Sequence, residues 1–135
     1  MSARRPAKEA APSGAAVPVV LLIDDEPMLL EALAEQLKES CRLYTALSPV
    51  EAEALLRLRR YDVIVCDHNL PGEQGLDFLV RTREAYPDMH RILITGYASP
   101  EFIAMGKELA GLAACLVKPV RAAKIADAIR AATSG

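Results

Sequence analysis

Acidic side chains, one threonine and one lysine each follow a short apolar run in this sequence. In chain order they are Asp24-Asp25-Glu26, Asp67, Thr95 and Lys118. Carboxylates that lie close together repel one another, so a group of them must keep a proton or bind a cation. Mg²⁺ is a hard cation that prefers oxygen ligands, phosphate oxygens among them. If these side chains meet, with Lys118 adding a positive charge, the sequence predicts a Mg²⁺ site suited to phosphoryl chemistry.

Each of these signals is weak when taken alone. Paired acids such as Asp24 and Asp25 often mark only the start of a helix, where negative charge is favourable. An acid shortly before a Pro-Gly pair, as Asp67 is, often belongs only to a turn. The combination is informative because each member falls at the end of a predicted core strand, in chain order.

Five apolar runs alternate with segments of helical periodicity. The runs predict parallel strands, four of them buried and one a weaker edge strand over 42–46; the four are 19–23, 63–66, 92–94 and 113–117. Two of the helices begin at a Ser-Pro pair, Ser48-Pro49 and Ser99-Pro100, which suits a cap followed by proline in the first turn. The order is therefore strand then helix, five times.

This order predicts an α/β fold, because right-handed crossovers place helices on both faces of a parallel sheet. The expected architecture is a flavodoxin-like (βα)5 doubly wound parallel sheet with strand order 2-1-3-4-5. The carboxyl ends of its strands form one rim, which would gather the acids, Thr95 and Lys118. The fourth helix is expected to continue its apolar face through Phe102, Ile103, Gly106 and Leu109.

Length and composition set the remaining bounds. The 135 residues fit one domain, with a flexible leader expected over residues 1–17 and the folded domain over 18–135. The net charge is −2 and no basic cluster stands out, so direct nucleic-acid binding is not expected. No apolar run reaches the ~20 residues of a membrane span, and we expect a cytoplasmic protein without membrane contact. Three cysteines without metal-ligand spacing, Cys41, Cys66 and Cys115, are expected to be reduced thiols.

Four motifs make the sequence resemble the receiver domain of two-component response regulators. They are LLIDDE, VIVCDHNLPGEQGLDFL, ILITGYAS and GLAACLVKP, and the resemblance extends from Val19 to Thr133. It implies a chemotaxis-regulator-like phosphorelay domain that accepts a phosphoryl group on Asp67. The donor would be a sensor histidine kinase or a histidine phosphotransfer protein. The domain would carry out self-phosphotransfer and autodephosphorylation only and would turn over no external substrate.

The resemblance also implies a metal-ligand set. Asp25 and Asp67 would bind Mg²⁺ directly, and Asp24 would act largely through water. The backbone carbonyl of Asn69 would be a further ligand.

Two residues would contact the phosphoryl oxygens. These are Lys118, whose peptide bond to Pro119 is expected to be cis, and Thr95. Movement of Thr95 would pull on the loop that follows the fourth strand. The resulting change would alter protein contacts on the face formed by the fourth helix, the fifth strand and the fifth helix. A protein target is implied but not identified, and we expect a monomer or a weak dimer.

The sequence departs from the family at Cys115, where receivers usually place Tyr or Phe as the partner of Thr95. Either output runs through the loop after the fourth strand, by way of Tyr97 or Phe102, or Cys115 is only a small core residue. Tyr97 would either shield the acyl phosphate from water or pack for structural reasons. His68 is predicted to be a solvent-facing loop residue.

Other functions remain as alternatives. A pseudo-receiver, which acts as a phosphorylation-independent interaction module, is kept open by Cys115. A flavodoxin-type electron carrier would need a phosphate loop where this chain has three acids. A haloacid-dehalogenase-type phosphatase needs a second Asp where this chain has Asn69, and the GxxxxGK loop of an NTPase is absent. The residues after Lys118 suffice for one helix, so no output domain is expected in this segment.

Overall fold

The structure is a computed structural model that describes residues 17–134. Its elements are β1 (Val19–Ile23), α1 (Pro27–Leu37), β2 (Arg42–Ala46), α2 (Pro49–Leu56), β3 (Val63–Asp67), α3 (Gly75–Ala85), β4 (His90–Thr95), α4 (Pro100–Ala110), β5 (Leu112–Val117) and α5 (Ala122–Thr133). The expected leader falls, except for its last residue, outside the described residues. None of the helices within residues 17–134 is long and apolar enough to cross a membrane.

The strands form one parallel sheet in the order β2-β1-β3-β4-β5, which confirms the predicted flavodoxin-like fold and strand order. Three strands extend beyond the predicted runs because backbone pairing continues past them, and β5 begins one residue early, at Leu112. Strand β3 includes Asp67, and β4 runs from His90 to Thr95. Asp67 and Thr95 are therefore the last residues of neighbouring strands.

Helices cover both faces of the sheet because successive side chains of a strand point to opposite faces, and the central strands are apolar at almost every position. Leu21 of β1 and Ile64 of β3 pack on one face with buried residues of α2, α3 and α4. Leu22 of β1 and Val65 of β3 pack on the other face with buried residues of α1 and α5. The two layers fix the sheet whose carboxyl edge carries the predicted site.

Helix α4 packs differently from the prediction, which was partly wrong. Its fully buried side consists of small residues, Gly106 and Ala110. Leu109 is 50% exposed, whereas Phe102 and Ile103 are half-buried. A Cβ atom on Gly106 would lie 2.8 Å from Leu112 Cδ1, so the glycine lets α4 lie close to β5. The close approach favours the small side chains on the inner face and leaves Leu109 outside.

Two arginines hold the C-terminal end of α4. The helix ends at Gly111, whose φ of 63° is the left-handed conformation that glycine adopts readily. Arg91 Nε donates to Ala110 O at 2.6 Å, and Arg83 Nη1 donates to Glu108 O at 2.6 Å. Cations are favourable at this end of a helix because its last carbonyls lack backbone partners. The C-terminal end of α4 is therefore anchored, and the opposite end lies beside the carboxyl edge of the sheet.

Candidate functional site

Four of the predicted site residues meet at the carboxyl edge of the sheet. Asp24 follows β1, Asp67 ends β3, Thr95 ends β4 and Lys118 follows β5. The backbone N–H of Lys118 donates to Thr95 O at 2.8 Å, which ties the ends of β4 and β5 together. The Lys118–Pro119 peptide bond is cis, as the resemblance implied.

Asp67 and Lys118 form a largely buried ion pair. The Asp67 side chain is only 3% exposed, and its Oδ1 lies 2.7 Å from Lys118 Nζ. Its other oxygen, Oδ2, accepts a hydrogen bond from the backbone N–H of Asn69 at 3.1 Å. Burial alone would lower the pKa of the Lys118 ammonium, but the hydrogen bond and the charges of Asp67 and the neighbouring acids raise it. Lys118 therefore stays protonated beside the one carboxylate that ends a central strand.

Three further acids lie next to this pair. Carboxylate oxygens of Asp24, Asp25 and Glu26 all lie within 4.8 Å of one another, Asp24 buried and the other two exposed. Asp24 Oδ1 accepts a hydrogen bond from the backbone N–H of Glu26 at 2.9 Å. Burial raises the pKa of the Asp24 carboxyl, and the charge of Asp67 adds to this despite that hydrogen bond. The site thus holds more negative charge than Lys118 alone neutralises.

Such a donor set fits a hard divalent cation. Every side chain in it offers carboxylate oxygen, the ligand type that Mg²⁺ prefers. The grouping differs from the implied ligand set in one respect, because Glu26 joins Asp24 and Asp25 while Asp67 is engaged by Lys118. Asn69 is exposed at the beginning of the β3–α3 loop, directly beside the Asp67 carboxylate.

Gly75 is a site residue that sequence reasoning missed. A Cβ atom at this position would lie 2.1 Å from Asp67 O, so only glycine lets the start of α3 approach the end of β3 so closely. The Gly75 N–H donates to His68 O at 2.8 Å and closes the loop between them. The available signal was a glycine a few residues after Asp67, within the motif that carries both.

Thr95 faces its own loop in this structure. Its Oγ1 donates to Tyr97 O at 3.1 Å and accepts from Tyr97 N–H at 3.4 Å. The Tyr97 side chain is 78% exposed. The hydroxyl is therefore hydrogen-bonded within the β4–α4 loop, one strand away from Asp67.

The prediction that His68 faces solvent is wrong. His68 is half-buried, and its Nδ1 accepts a hydrogen bond from the Leu76 N–H at 3.3 Å. Its ring packs edge-to-face on Phe102, with centroids 5.3 Å apart and planes 71° apart. The helix start that Gly75 brings close to β3 also covers this ring, which the sequence pattern does not reveal.

The cysteines are all unpaired: Cys41 and Cys66 are buried and Cys115 is half-buried. Burial raises the pKa of the Cys41 thiol to about 11. The thiols of Cys66 and Cys115 are also raised in pKa, first of all by burial. A thiol is a poor nucleophile and metal ligand unless it ionises, so burial disfavours such roles for these three residues.

Comparison with known proteins gives a family and several relatives. The family model of the response regulator receiver domain matches residues 20–130. The chain is 39% identical over 113 residues to the hydrogenase transcriptional regulatory protein HoxA of Cupriavidus necator, covering 84% of this chain and 23% of that protein. It is 27% identical to sporulation initiation phosphotransferase F of Bacillus subtilis, covering 82% of this chain and 90% of that protein.

Solved structures agree with these relatives. The signal receiver domain of an HD domain-containing protein from Pseudomonas fluorescens Pf-5 superposes with a TM-score of 0.78 at 29% identity, covering 86% of this chain and 94% of that one. The present chain spans less than a quarter of the length of the HoxA protein that it matches. Domains of this kind are phosphorylation-switched signalling domains of two-component systems. On the family match, the fold and the relatives together, this chain belongs to the response regulator receiver domain family.

Proposed function

We propose that Asp67 accepts a phosphoryl group from a phosphohistidine of a sensor histidine kinase or of a histidine phosphotransfer protein, with Mg²⁺ held by the neighbouring acids. The observation that carries this proposal is the buried Asp67 carboxylate, paired with Lys118 at 2.7 Å beside the cluster of Asp24, Asp25 and Glu26. Family membership supports the same assignment.

The chain's own residues act mainly by position and charge. One Asp67 oxygen forms a bond to phosphorus while the phosphorus–nitrogen bond of the donor breaks. The donor imidazole keeps the electron pair of that bond, and because its other ring nitrogen carries a proton, it leaves as neutral imidazole. Lys118, held protonated next to Asp67, balances negative charge on the phosphoryl oxygens. Because the transition state of phosphoryl transfer is loose, such positioning and neutralisation account for most of the catalysis.

The metal would be held by Asp25 and Asp67 directly, by Asp24 largely through water, and by the backbone carbonyl of Asn69. The mutual proximity of Asp24, Asp25 and Glu26 supports this assignment, and so does the raised pKa of Asp24, which burial causes first and the charge of Asp67 increases. Bound there, Mg²⁺ would supply neutralisation of charge on the phosphoryl oxygens.

The switch would begin at Thr95. Its hydroxyl, now bonded to Tyr97 O, would turn toward a phosphoryl oxygen and alter the face formed by α4, β5 and α5. A partner protein would recognise that face, with the domain itself monomeric or weakly dimeric. The domain would modify only itself and turn over no external substrate. The HoxA relatives are transcriptional regulatory proteins, but direct nucleic-acid contact is not proposed for this segment.

Intact-mass spectrometry after incubation with acetyl phosphate and Mg²⁺ tests the proposal. The wild-type protein should gain one phosphoryl group and the Asp67→Asn variant none. Asp88→Asn, which removes an exposed acid after α3, is the matched control and should behave like the wild type. A wild-type protein that gains no mass would instead support the phosphorylation-independent pseudo-receiver.

A further inference from the structure

We infer that the ring contact between His68 and Phe102 couples phosphorylation of Asp67 to the position of α4. The inference rests on the proposed function, since it assumes that Asp67 receives the phosphoryl group. It assigns to two side chains a role distinct from those of the acid cluster and of Lys118.

On one side of the contact, His68 is fixed to the phosphoacceptor strand. It follows Asp67 directly, and its N–H donates to Ile94 O at 2.8 Å. Its carbonyl accepts from Gly75 N–H at 2.8 Å, and its ring nitrogen Nδ1 accepts from Leu76 N–H at 3.3 Å. Bonds to both β4 and α3 hold the residue, so its ring forms a firm support.

On the other side, Phe102 belongs to the first turn of α4, directly after the loop that follows Thr95 and contains Tyr97. Its N–H is capped by Ser99 Oγ at 3.0 Å. The far end of the helix is anchored by Arg83 and Arg91. A displacement of the loop would therefore move the first turn of α4 about its fixed C-terminal end, and the His68–Phe102 contact lies at the moving end.

The hydrogen bond of Thr95 decides whether the ring contact favours or opposes phosphoryl binding. The ring contact is observed together with the hydrogen bond from Thr95 Oγ1 to Tyr97 O, so it belongs to the arrangement in which this hydroxyl is engaged by its own loop. If Thr95 turns to a phosphoryl oxygen, the loop loses that bond and the first turn of α4 is released from His68. The contact therefore opposes phosphoryl binding, and weakening it must strengthen binding by reciprocal linkage.

Strand β5 has no aromatic side chain that could take the place of the His68–Phe102 contact. The residues of β5 in the core cluster that Phe102 packs against are Leu112, the first residue of that strand, and Cys115, a small half-buried side chain. It cannot fill or vacate the space of an aromatic ring. Of the two loop candidates suggested by the sequence, Tyr97 is mostly exposed and Phe102 is packed, which favours Phe102 as the residue that carries the coupling.

The test is a titration with beryllofluoride, a phosphoryl mimic, in the presence of Mg²⁺, followed by amide NMR of the whole chain. Phe102→Leu keeps an apolar side chain but removes the ring. His68→Asn removes the imidazole but keeps an acceptor for the Leu76 N–H. Each should bind the mimic about 2- to 10-fold more tightly than the wild type, the range expected for one edge-to-face ring pair.

In both variants the amides of Met105 and Gly106 should already be shifted, without ligand, toward their positions in the wild-type complex. The double variant should bind no more tightly than the stronger single variant, because both changes break the same contact. Tyr44→Leu is the matched control, since it breaks another edge-to-face pair, with Tyr61 at 5.7 Å, on the opposite edge strand. Its affinity should equal that of the wild type.

The inference is overturned if the wild type binds the mimic and Phe102→Leu binds it with equal or lower affinity, whatever the result for His68→Asn. In that outcome the proposed function stands. Failure of the wild type to bind beryllofluoride with Mg²⁺ at all would overturn the proposed function and this inference together.

Discussion

At the scale of single residues, the site combines one half-buried cation with several carboxylates. Lys118 compensates Asp67 directly at 2.7 Å, while Asp24 is 6% exposed and has a raised pKa. A buried charge that loses its partner costs more than the pair contributes while intact. Removing the charge of Lys118 should therefore lower the stability of the protein, and removing the charge of Asp24 should raise it.

Replacing Lys118 with methionine should destabilise the protein by about 1–3 kcal/mol at neutral pH, because the Asp67 carboxylate is left buried without its cation. Lys118 has a raised pKa in the folded state. The stability that Lys118 contributes is therefore fully present below its ordinary pKa of 10.5. It is lost as the pH rises through the raised pKa of the folded state. The difference in unfolding free energy between wild type and variant, measured by urea unfolding, should narrow in alkaline solution. Lys124→Met, an exposed lysine on α5, should change stability little; an equal loss there would contradict the account.

Replacing Asp24 with asparagine should stabilise the metal-free protein by roughly 1 kcal/mol at neutral pH, the size of an ordinary single-site effect. The amide removes a buried negative charge and keeps an oxygen for the Glu26 N–H. Because the pKa of Asp24 is raised in the folded state, its charge destabilises the protein above that pKa. This destabilisation disappears as the pH falls through that pKa. Denaturant unfolding should show the gain at neutral pH and none in acid. A variant less stable than the wild type at neutral pH would count against the proposed charge excess.

At the scale of secondary-structure elements, the decisive feature is the junction between β3 and α3. The α3 start approaches Asp67 O so closely that Gly75 has no room for a Cβ atom. The same junction holds His68 against Phe102 of α4. Glu73 in this loop is further tied to Arg81 of α3 at 2.7 Å. The loop that surrounds the phosphoacceptor is thus fixed by α3.

Gly75→Ala should destabilise the protein by roughly 1–3 kcal/mol, the usual cost of forcing extra atoms into a packed region. It should also slow phosphoryl uptake from acetyl phosphate, because the β3–α3 loop must shift. Gly96→Ala is the control for stability, since a Cβ there meets nothing within 4 Å. Thermal unfolding of the two variants should differ clearly, and equal melting temperatures would show that the close approach is not a constraint.

Much of the element pattern could be read from the sequence, and the exceptions have physical reasons. The apolar runs of β1 and β3 predicted buried parallel strands because both of their faces are covered. The inner face of α4 was misjudged because Gly106 and Ala110 allow a close approach that hydrophobicity alone does not indicate. The half-burial of His68 could not be predicted because it depends on Phe102 of α4, which is distant in sequence.

At the scale of the whole molecule, the parallel sheet brings together acids, a threonine and a lysine that are far apart along the chain. Strand order and the identities of the strand-end residues followed from sequence alone. The grouping of Glu26 with Asp24 and Asp25 did not, because it depends on how the chain turns into α1. The direction of the Thr95 hydroxyl did not follow from the sequence either, because it is set by a hydrogen bond to Tyr97 O in the following loop.

Mg²⁺ should raise the stability of the whole domain by mass action, by about 2.7 kcal/mol at a free concentration one hundred times its dissociation constant. The rise in melting temperature with Mg²⁺ should be strongly reduced in Asp25→Asn and preserved in Asp88→Asn. Equal Mg²⁺-induced rises in both variants would place the cation elsewhere.

The most direct test of the central claim is to locate the phosphoryl group. After incubation with acetyl phosphate and Mg²⁺, borohydride reduction marks any acyl phosphate permanently, and peptide mass spectrometry identifies the modified residue. The account predicts a single modified position, Asp67. Modification at Asp24 or Asp25 instead, or at no acidic residue of the domain, would contradict it.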